Sequence, residues 1–150
     1  KWLWGEWLEV WLAGVLEDAR SADGGSEPLF HEVHQDLKIK DPKSKDERFQ
    51  ADVVAVHGAT AYLFTCTVDE KKALVKSKLF EAVQRAAQLG GDHARVGVFS
   101  FAGSADAIVK EIQQEGWDGY DNVRAFGLDD LAHPDELIRK VREWVLGRPR

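Results

Sequence analysis

Apolar positions recur along this chain with two different periods, and the switches between them predict the elements. From Trp2 to about Arg20 the period is helical. At about 100° per residue, Trp4, Trp7, Leu8, Trp11, Leu12 and Val15 share one broad face. Glu6 and Glu17 fall opposite, and Glu9 sits at the margin of the apolar arc, beside Leu12 and Leu16. Ser21 to Pro28 has loop composition. Phe30 to Ile39 reads as a strand of imperfect alternation, and Asp41 to Arg48 as a charged turn. Gln50 to His57 and Ala61 to Val68 are rich in β-branched and aromatic residues and flank Gly58-Ala59-Thr60, which suits a short hairpin. Helical spacing returns over Ala73 to Leu89, with Leu79, Phe80, Val83 and Ala87, and Gly90-Gly91 closes that helix. Val96 to Phe101 is the next strand, and Ser104 to Glu115 a helix entered from a serine cap. Val123 to Phe126 is a short strand. Pro134 to Leu146 is a final helix with proline in its first turn.

The predicted order is α-β-β-β-α-β-α-β-α. A hairpin followed by strand-helix-strand units implies an α/β fold in which helices flank a mixed sheet with right-handed crossovers. At 150 residues and 44% hydrophobic, one domain spanning 1–150 can bury a sizeable core. The net charge of −6 argues against an autonomous nucleic-acid binder, whose affinity comes largely from cationic side chains releasing counterions. Any such contact requires a local patch or a partner. Cys66 is the single cysteine and sits in an apolar run, as a small buried hydrophobe does, so a reducing, cytoplasmic setting is expected. No apolar run approaches the roughly 20 residues of a membrane span. Methionine is absent altogether, and the chain is expected to be a piece of a longer multidomain protein.

Several short motifs stand in a telling order: Gly5-Glu6-Trp7-Leu8-Glu9 on the first helix, Gln50-Ala51-Asp52-Val53 and Thr65-Cys66-Thr67-Val68 on the hairpin, then a long helix, Leu89-Gly90-Gly91 and a hydrophobic strand. In this order the chain resembles the PD-(D/E)xK nuclease superfamily, whose fold is the restriction-endonuclease-like α/β sheet. More narrowly, it is similar to the nuclease domains of CRISPR-associated effectors that join such a nuclease to a CARF domain sensing cyclic oligoadenylates. Those domains open with a Gly-x-Trp-Leu-Glu helix. They carry an Asn-Glu-hydrophobic-Asp-Val type motif on the first hairpin strand and Glu-Cys-Lys-Thr on the second. The resemblance covers nearly the whole chain as an ordered set of short motifs.

It implies an acidic site at Glu9 and Asp52, which would hold Mg²⁺ or Mn²⁺ together with a strand Glu and the carbonyl between Glu and Lys. The metal lowers the pKa of the attacking water, and the Lys orients that water or stabilises the oxyanion. Alternate strand residues share a face, so Thr65 and Thr67 occupy the Glu and Lys positions. Threonine offers a neutral oxygen where a hard dication favours carboxylate, and it lacks the lysine charge. The site is therefore expected to be degenerate and the domain inactive. In that reading it positions nucleic acid or pairs structurally with a second nuclease domain, beside a CARF-type sensing domain in the parent chain. Two other readings stay open. One is an active DNA or RNA endonuclease with a Glu or Lys displaced to a neighbouring element, Asp69, Glu70, Lys71 and Lys72 being nearest in sequence. The other is an oligomerisation module built on the Trp-rich helix.

Lys38, Lys40, Lys43, Lys45 and Arg48 precede the first motif strand, and Lys71, Lys72, Lys76 and Lys78 follow the second. If both groups flank one cleft, Lys38, Lys40, Lys43, Lys71 and Lys72 form a rim able to contact the phosphates of DNA or RNA. His31 and His34 read as surface residues with His57 distant, which gives zinc little support. Ser100 to Ser104 contains no Gly-x-Ser-x-Gly elbow, so nucleophilic hydrolase chemistry has none either.

Overall fold

The computed structural model describes residues 6–40, 43, 47–68, 71–101, 105–116 and 122–147. The chain runs α1 (Trp7–Asp18), β1 (Glu32–Lys40), β2 (Glu47–His57), β3 (Thr60–Thr67), α2 (Lys72–Gly90), a 3-10 turn (Gly91–His93), β4 (Arg95–Ser100), α3 (Ala105–Gln114), β5 (Val123–Phe126), α4 (Leu128–Ala132) and α5 (Pro134–Leu146). The strands form one sheet in the order β1-β2-β3-β4-β5. β1, β2 and β3 pair antiparallel, whereas β3, β4 and β5 pair parallel. The fold is thus α/β, a mixed five-stranded sheet flanked by helices.

A sheet whose central strands are buried on both faces needs two cores, and it has two. On one face Leu8, Leu12 and Leu16 of α1 and Leu137, Val141 and Val145 of α5 pack against Val53, Phe64, Phe99 and Phe126. On the other, Val75, Leu79, Ala82 and Ala86 of α2 and Ile108 and Ile112 of α3 cover Leu63, Val96 and Val98. Along β3, Tyr62, Phe64 and Cys66 belong to the α1/α5 side and Leu63 to the α2 side. The pleat therefore turns Thr65 and Thr67 toward α2.

The structure moves several boundaries. α1 stops at Asp18 rather than Arg20, because Ala19 turns extended and Arg20 bridges to Pro28. The buried stripe of α1 is Leu8, Leu12, Ala13 and Leu16, while Trp7 and Val10 are exposed. The leucines face the sheet most deeply, while Trp11 packs on Phe99 and Trp7 on Phe101 at the margin of the same core. β2 begins three residues early, at Glu47, because Lys40 of β1 supplies it with a partner. The charged stretch before it is thus partly strand. The short α4 has no periodic signal of its own: the Asp130 carboxylate accepts the Gly127 N–H at 2.8 Å and the Lys140 ammonium at 2.8 Å. Gly91, at φ +68°, ends α2 as the glycine pair predicts.

Aromatic packing constrains β4 most tightly at Gly97. A Cβ there would lie 2.6 Å from Cδ1 of Phe64. That ring is hemmed in by Phe126 and Trp144, with centroids 6.4 and 6.0 Å away. Gly97→Ala is expected to destabilise the domain by about 1–3 kcal/mol, the usual range for overpacking. Urea denaturation would show this as a lower midpoint at unchanged slope.

Candidate functional site

The site forms where two neighbouring strands part. β2 pairs with β1 along almost its whole length, from Lys40↔Glu47 to Glu32↔Val56. Its pairing with β3 covers only Val53–His57 against Thr60–Phe64. Beyond Phe64, β3 stays with β4 through Thr67↔Ser100, while β2 peels away. The resulting wedge strands backbone groups that a ladder would have paired, and buried groups of this kind need partners. Asp52 supplies one. Its Oδ2 accepts the Cys66 N–H at 2.9 Å and the Thr65 hydroxyl at 3.2 Å. Lys78 of α2 donates its ammonium to the Cys66 carbonyl at 3.3 Å, and Arg85 donates to the Gln50 carbonyl at 2.5 Å.

Lys78, Glu81 and Arg85 recur every three or four residues, so one face of α2 carries all three over the wedge. With Gln50, Asp52 and Thr65 they line a cavity of ≈ 30 Å³. That is room for a water or a bare ion, and far too small for a nucleotide. Glu81 is ion-paired with Arg85. On the outer strand, Asp36 lies between the pairs Gln35↔Val53 and Leu37↔Ala51, which sets it opposite Asp52. Like charges in that position repel. Asp36 adopts φ +55°, rare for a non-glycine strand residue, and accepts a hydrogen bond from the Gln50 side-chain amide.

Glu9 approaches from α1. Burial pushes its carboxyl up to about 7, the negative charge of Asp52 adds to the rise, and Lys78 opposes it, with smaller upward contributions from Asp36 and Glu6. The Cys66 thiol is held well above its ordinary value by burial and by the charges of Asp52 and Glu9. It is a neutral core group and no nucleophile at neutral pH.

The structure therefore joins Asp52, Thr65 and the Cys66 backbone in direct contact, with Glu9 on α1 within reach of the Asp52 charge and Thr67 buried further along β3. Gly5, Lys45, Asp69 and Glu70 lie outside the described residues, as does the side chain of Lys40. Lys38, Lys43 and Lys71 are exposed. Lys72 is committed to Glu111 of α3 at 2.7 Å, and Lys76 to the same carboxylate at 3.1 Å, so part of the expected rim is a bridge between α2 and α3. His57 is not distant from His31: their rings stack at 5.9 Å, and His57 Nδ1 lies 2.6 Å from the Leu29 carbonyl. His34 faces Glu32 at 3.7 Å. Glu81 and Arg85 did not emerge as site residues from the sequence, since their spacing fits any solvated helix face. Lys78 read only as one cation of a basic run.

As they stand, these residues do not fit a divalent metal. A hard dication needs several free anionic oxygens. Here Oδ2 of Asp52 is engaged by two donors and the Cys66 carbonyl by an ammonium. Among the described residues, no group of three or more His, Cys, Asp or Glu side chains is placed to hold a metal ion.

No protein-family model matches the chain, and no curated protein does. Among solved structures, it is similar to protein VC1899 from Vibrio cholerae, with a TM-score of 0.70 and 16% identity over 93% of this chain. The match takes in 34% of that protein, so this chain spans about a third of its length. At that identity the likeness shows the fold alone. No helix among the described residues is long and apolar enough to cross a membrane.

Two outcomes follow from the wedge. Asp52→Ala leaves the Cys66 N–H without its acceptor and is expected to cost about 1–3 kcal/mol of stability, measured by urea denaturation. The Glu9 carboxyl rises from 4.5 unfolded to about 7 folded, so the fold favours its protonated form. Glu9 contributes fully below pH 4.5 and progressively less as pH rises toward 7. Glu9→Gln should match wild type in acid and melt higher at pH 8. Because Glu9 is partly exposed, screening holds the gain near 1 kcal/mol, roughly 2–4 °C. Melting curves that stay parallel across that pH range would contradict a buried, raised carboxyl.

Proposed function

We propose that this chain is a restriction-endonuclease-like domain that has lost metal-dependent cleavage and acts as a structural or nucleic-acid-positioning partner of a cleaving nuclease domain. The setting this implies is a CRISPR-associated effector, with a CARF-type sensing domain and the second nuclease domain in the parent chain. One observation carries the reading. At the point where the resemblance calls for a metal site, neutral Thr65 and Thr67 stand at the Glu and Lys positions, and the chain's own donors engage Oδ2 of Asp52 and the Cys66 carbonyl. The exposed lysines Lys38 and Lys71 offer phosphate contacts. With Lys72 paired and the net charge at −6, those contacts are few and salt-sensitive.

A second reading, a metal-dependent DNA or RNA nuclease whose Glu and Lys have moved to another element, draws on the placement of Glu81 and Lys78. Both line the same cavity as Asp52 and Thr65. It requires the Glu81–Arg85 pair to open.

Incubation of supercoiled plasmid and of single-stranded DNA and RNA with Mg²⁺ or Mn²⁺ separates the two. Wild type and Asp52→Ala are expected to leave all substrates intact. Cleavage by wild type that vanishes in both Asp52→Ala and Glu81→Gln would establish the relocated site instead.

A further inference from the structure

Beyond the pair Val53↔Phe64, β2 has no partner in β3, yet its ladder with β1 continues through Leu37↔Ala51, Lys38↔Gln50, Ile39↔Phe49 and Lys40↔Glu47. β1 is the outermost strand of the sheet. This end of the ladder is therefore a two-stranded antiparallel ribbon with no strand on either side among the described residues. Such a ribbon is marginal in water by itself, and its base is held from α2. Ala51 is buried in the core beneath that helix, and Leu37 packs against the same core. The Arg85 guanidinium holds the Gln50 carbonyl, and the Gln50 side-chain amide donates to Asp36 of β1.

The ribbon inverts the sign of the chain. Residues 38–48 carry five cations, Lys38, Lys40, Lys43, Lys45 and Arg48, against the three carboxylates of Asp41, Asp46 and Glu47. That segment has a net charge of +2 in a chain whose total is −6, which leaves −8 for the rest. Lys38 and Lys40 stand on β1, and Lys38 is exposed. A local positive field on an acidic body steers an anionic partner to one place and repels it elsewhere.

Shape narrows the partner further. The major groove of B-form DNA, about 12 Å wide, admits a two-stranded β-ribbon, whereas the deep, narrow major groove of an RNA duplex does not. We propose that the β1/β2 ribbon is the element by which this domain holds duplex DNA, entering the major groove with Lys38 and Lys40 on the flanking phosphates. The inference rests on the nucleic-acid-positioning reading and deepens it. The ribbon reaches the duplex from outside the wedge, whose ≈ 30 Å³ cavity is too small for a nucleotide.

Fluorescence anisotropy with labelled DNA and RNA duplexes of equal length, titrated from low to moderate salt, tests this on the whole chain. Wild type is expected to bind the DNA duplex more tightly than the RNA duplex, with affinity falling steeply as salt rises. Lys38→Ala/Lys40→Ala should weaken DNA binding and make the log–log salt slope shallower by about 2, one for each lost phosphate contact. Lys38→Arg/Lys40→Arg keeps the charge and should bind as wild type does. Lys110→Ala, which removes a cation of α3 paired with Asp106, should leave binding unchanged. Thermal melts establish that the variants are folded. A double alanine variant that binds DNA like wild type would mean that the lysines only guard an open edge. That result overturns the inference and leaves nucleic-acid positioning standing. Equal binding of the RNA duplex, or tighter binding of anionic phospholipid vesicles, overturns it as well. No DNA binding by wild type at low salt removes both the inference and the nucleic-acid part of the reading, and the plasmid assay still decides separately whether cleavage is lost.

Discussion

The bond from the Cys66 N–H to the Asp52 carboxylate allows two strands to separate inside a sheet that is otherwise continuous. β2 stays with β1, and β3 stays with β4, so the two pairs part beyond Phe64. A gap of that kind would leave peptide groups without partners in a region shielded by two layers of helices. One carboxylate, one ammonium and one guanidinium meet the groups that the ladder no longer serves. The same three side chains create the electrostatics of the candidate site, so stability and chemistry there cannot be separated.

α2 has two tasks as a result. Val75, Leu79, Ala82 and Ala86 form the lid of one core, and the adjacent face carries Lys78, Glu81 and Arg85 over the wedge. Its first turn is tied to α3 through Lys72, Lys76 and Glu111. A cation committed to such a bridge contributes little to a phosphate-binding surface, which is why counting lysines along the sequence overstates the rim. The opposite core relies on aromatic contacts instead: Tyr62, Phe64 and Phe126 meet Trp144 edge to face, Phe99 stacks with Phe126, and Gly97 leaves the space for Phe64.

Much of this architecture is legible in the residues themselves. Alternation and helical spacing located the strands and the longer helices to within a few residues, because burial on one face or two imposes those periods directly. Strand parity placed Thr65 and Thr67 on one face and Cys66 on the other. What failed has common causes. Hydrophobicity alone did not grade burial around α1: Leu8 and Leu12 are fully buried, whereas Trp11 and Val15 are only partly buried against the same core and Trp7 is exposed. α4 is held by a carboxylate cap and a salt bridge from α5, neither of which leaves a periodic trace.

The sequence by itself determined the α/β class, the hairpin, and the presence of Asp52 and of Thr65-Cys66-Thr67 on its two strands, since each depends on residue type and local spacing. Only the tertiary structure decided which charges meet. Lys78 lies twelve residues from Cys66 and Arg85 thirty-five from Gln50. Whether such pairs touch depends on how α2 lies across the sheet and where β2 peels away. Those are set by the packing of both cores together, and no single stretch of the chain encodes them.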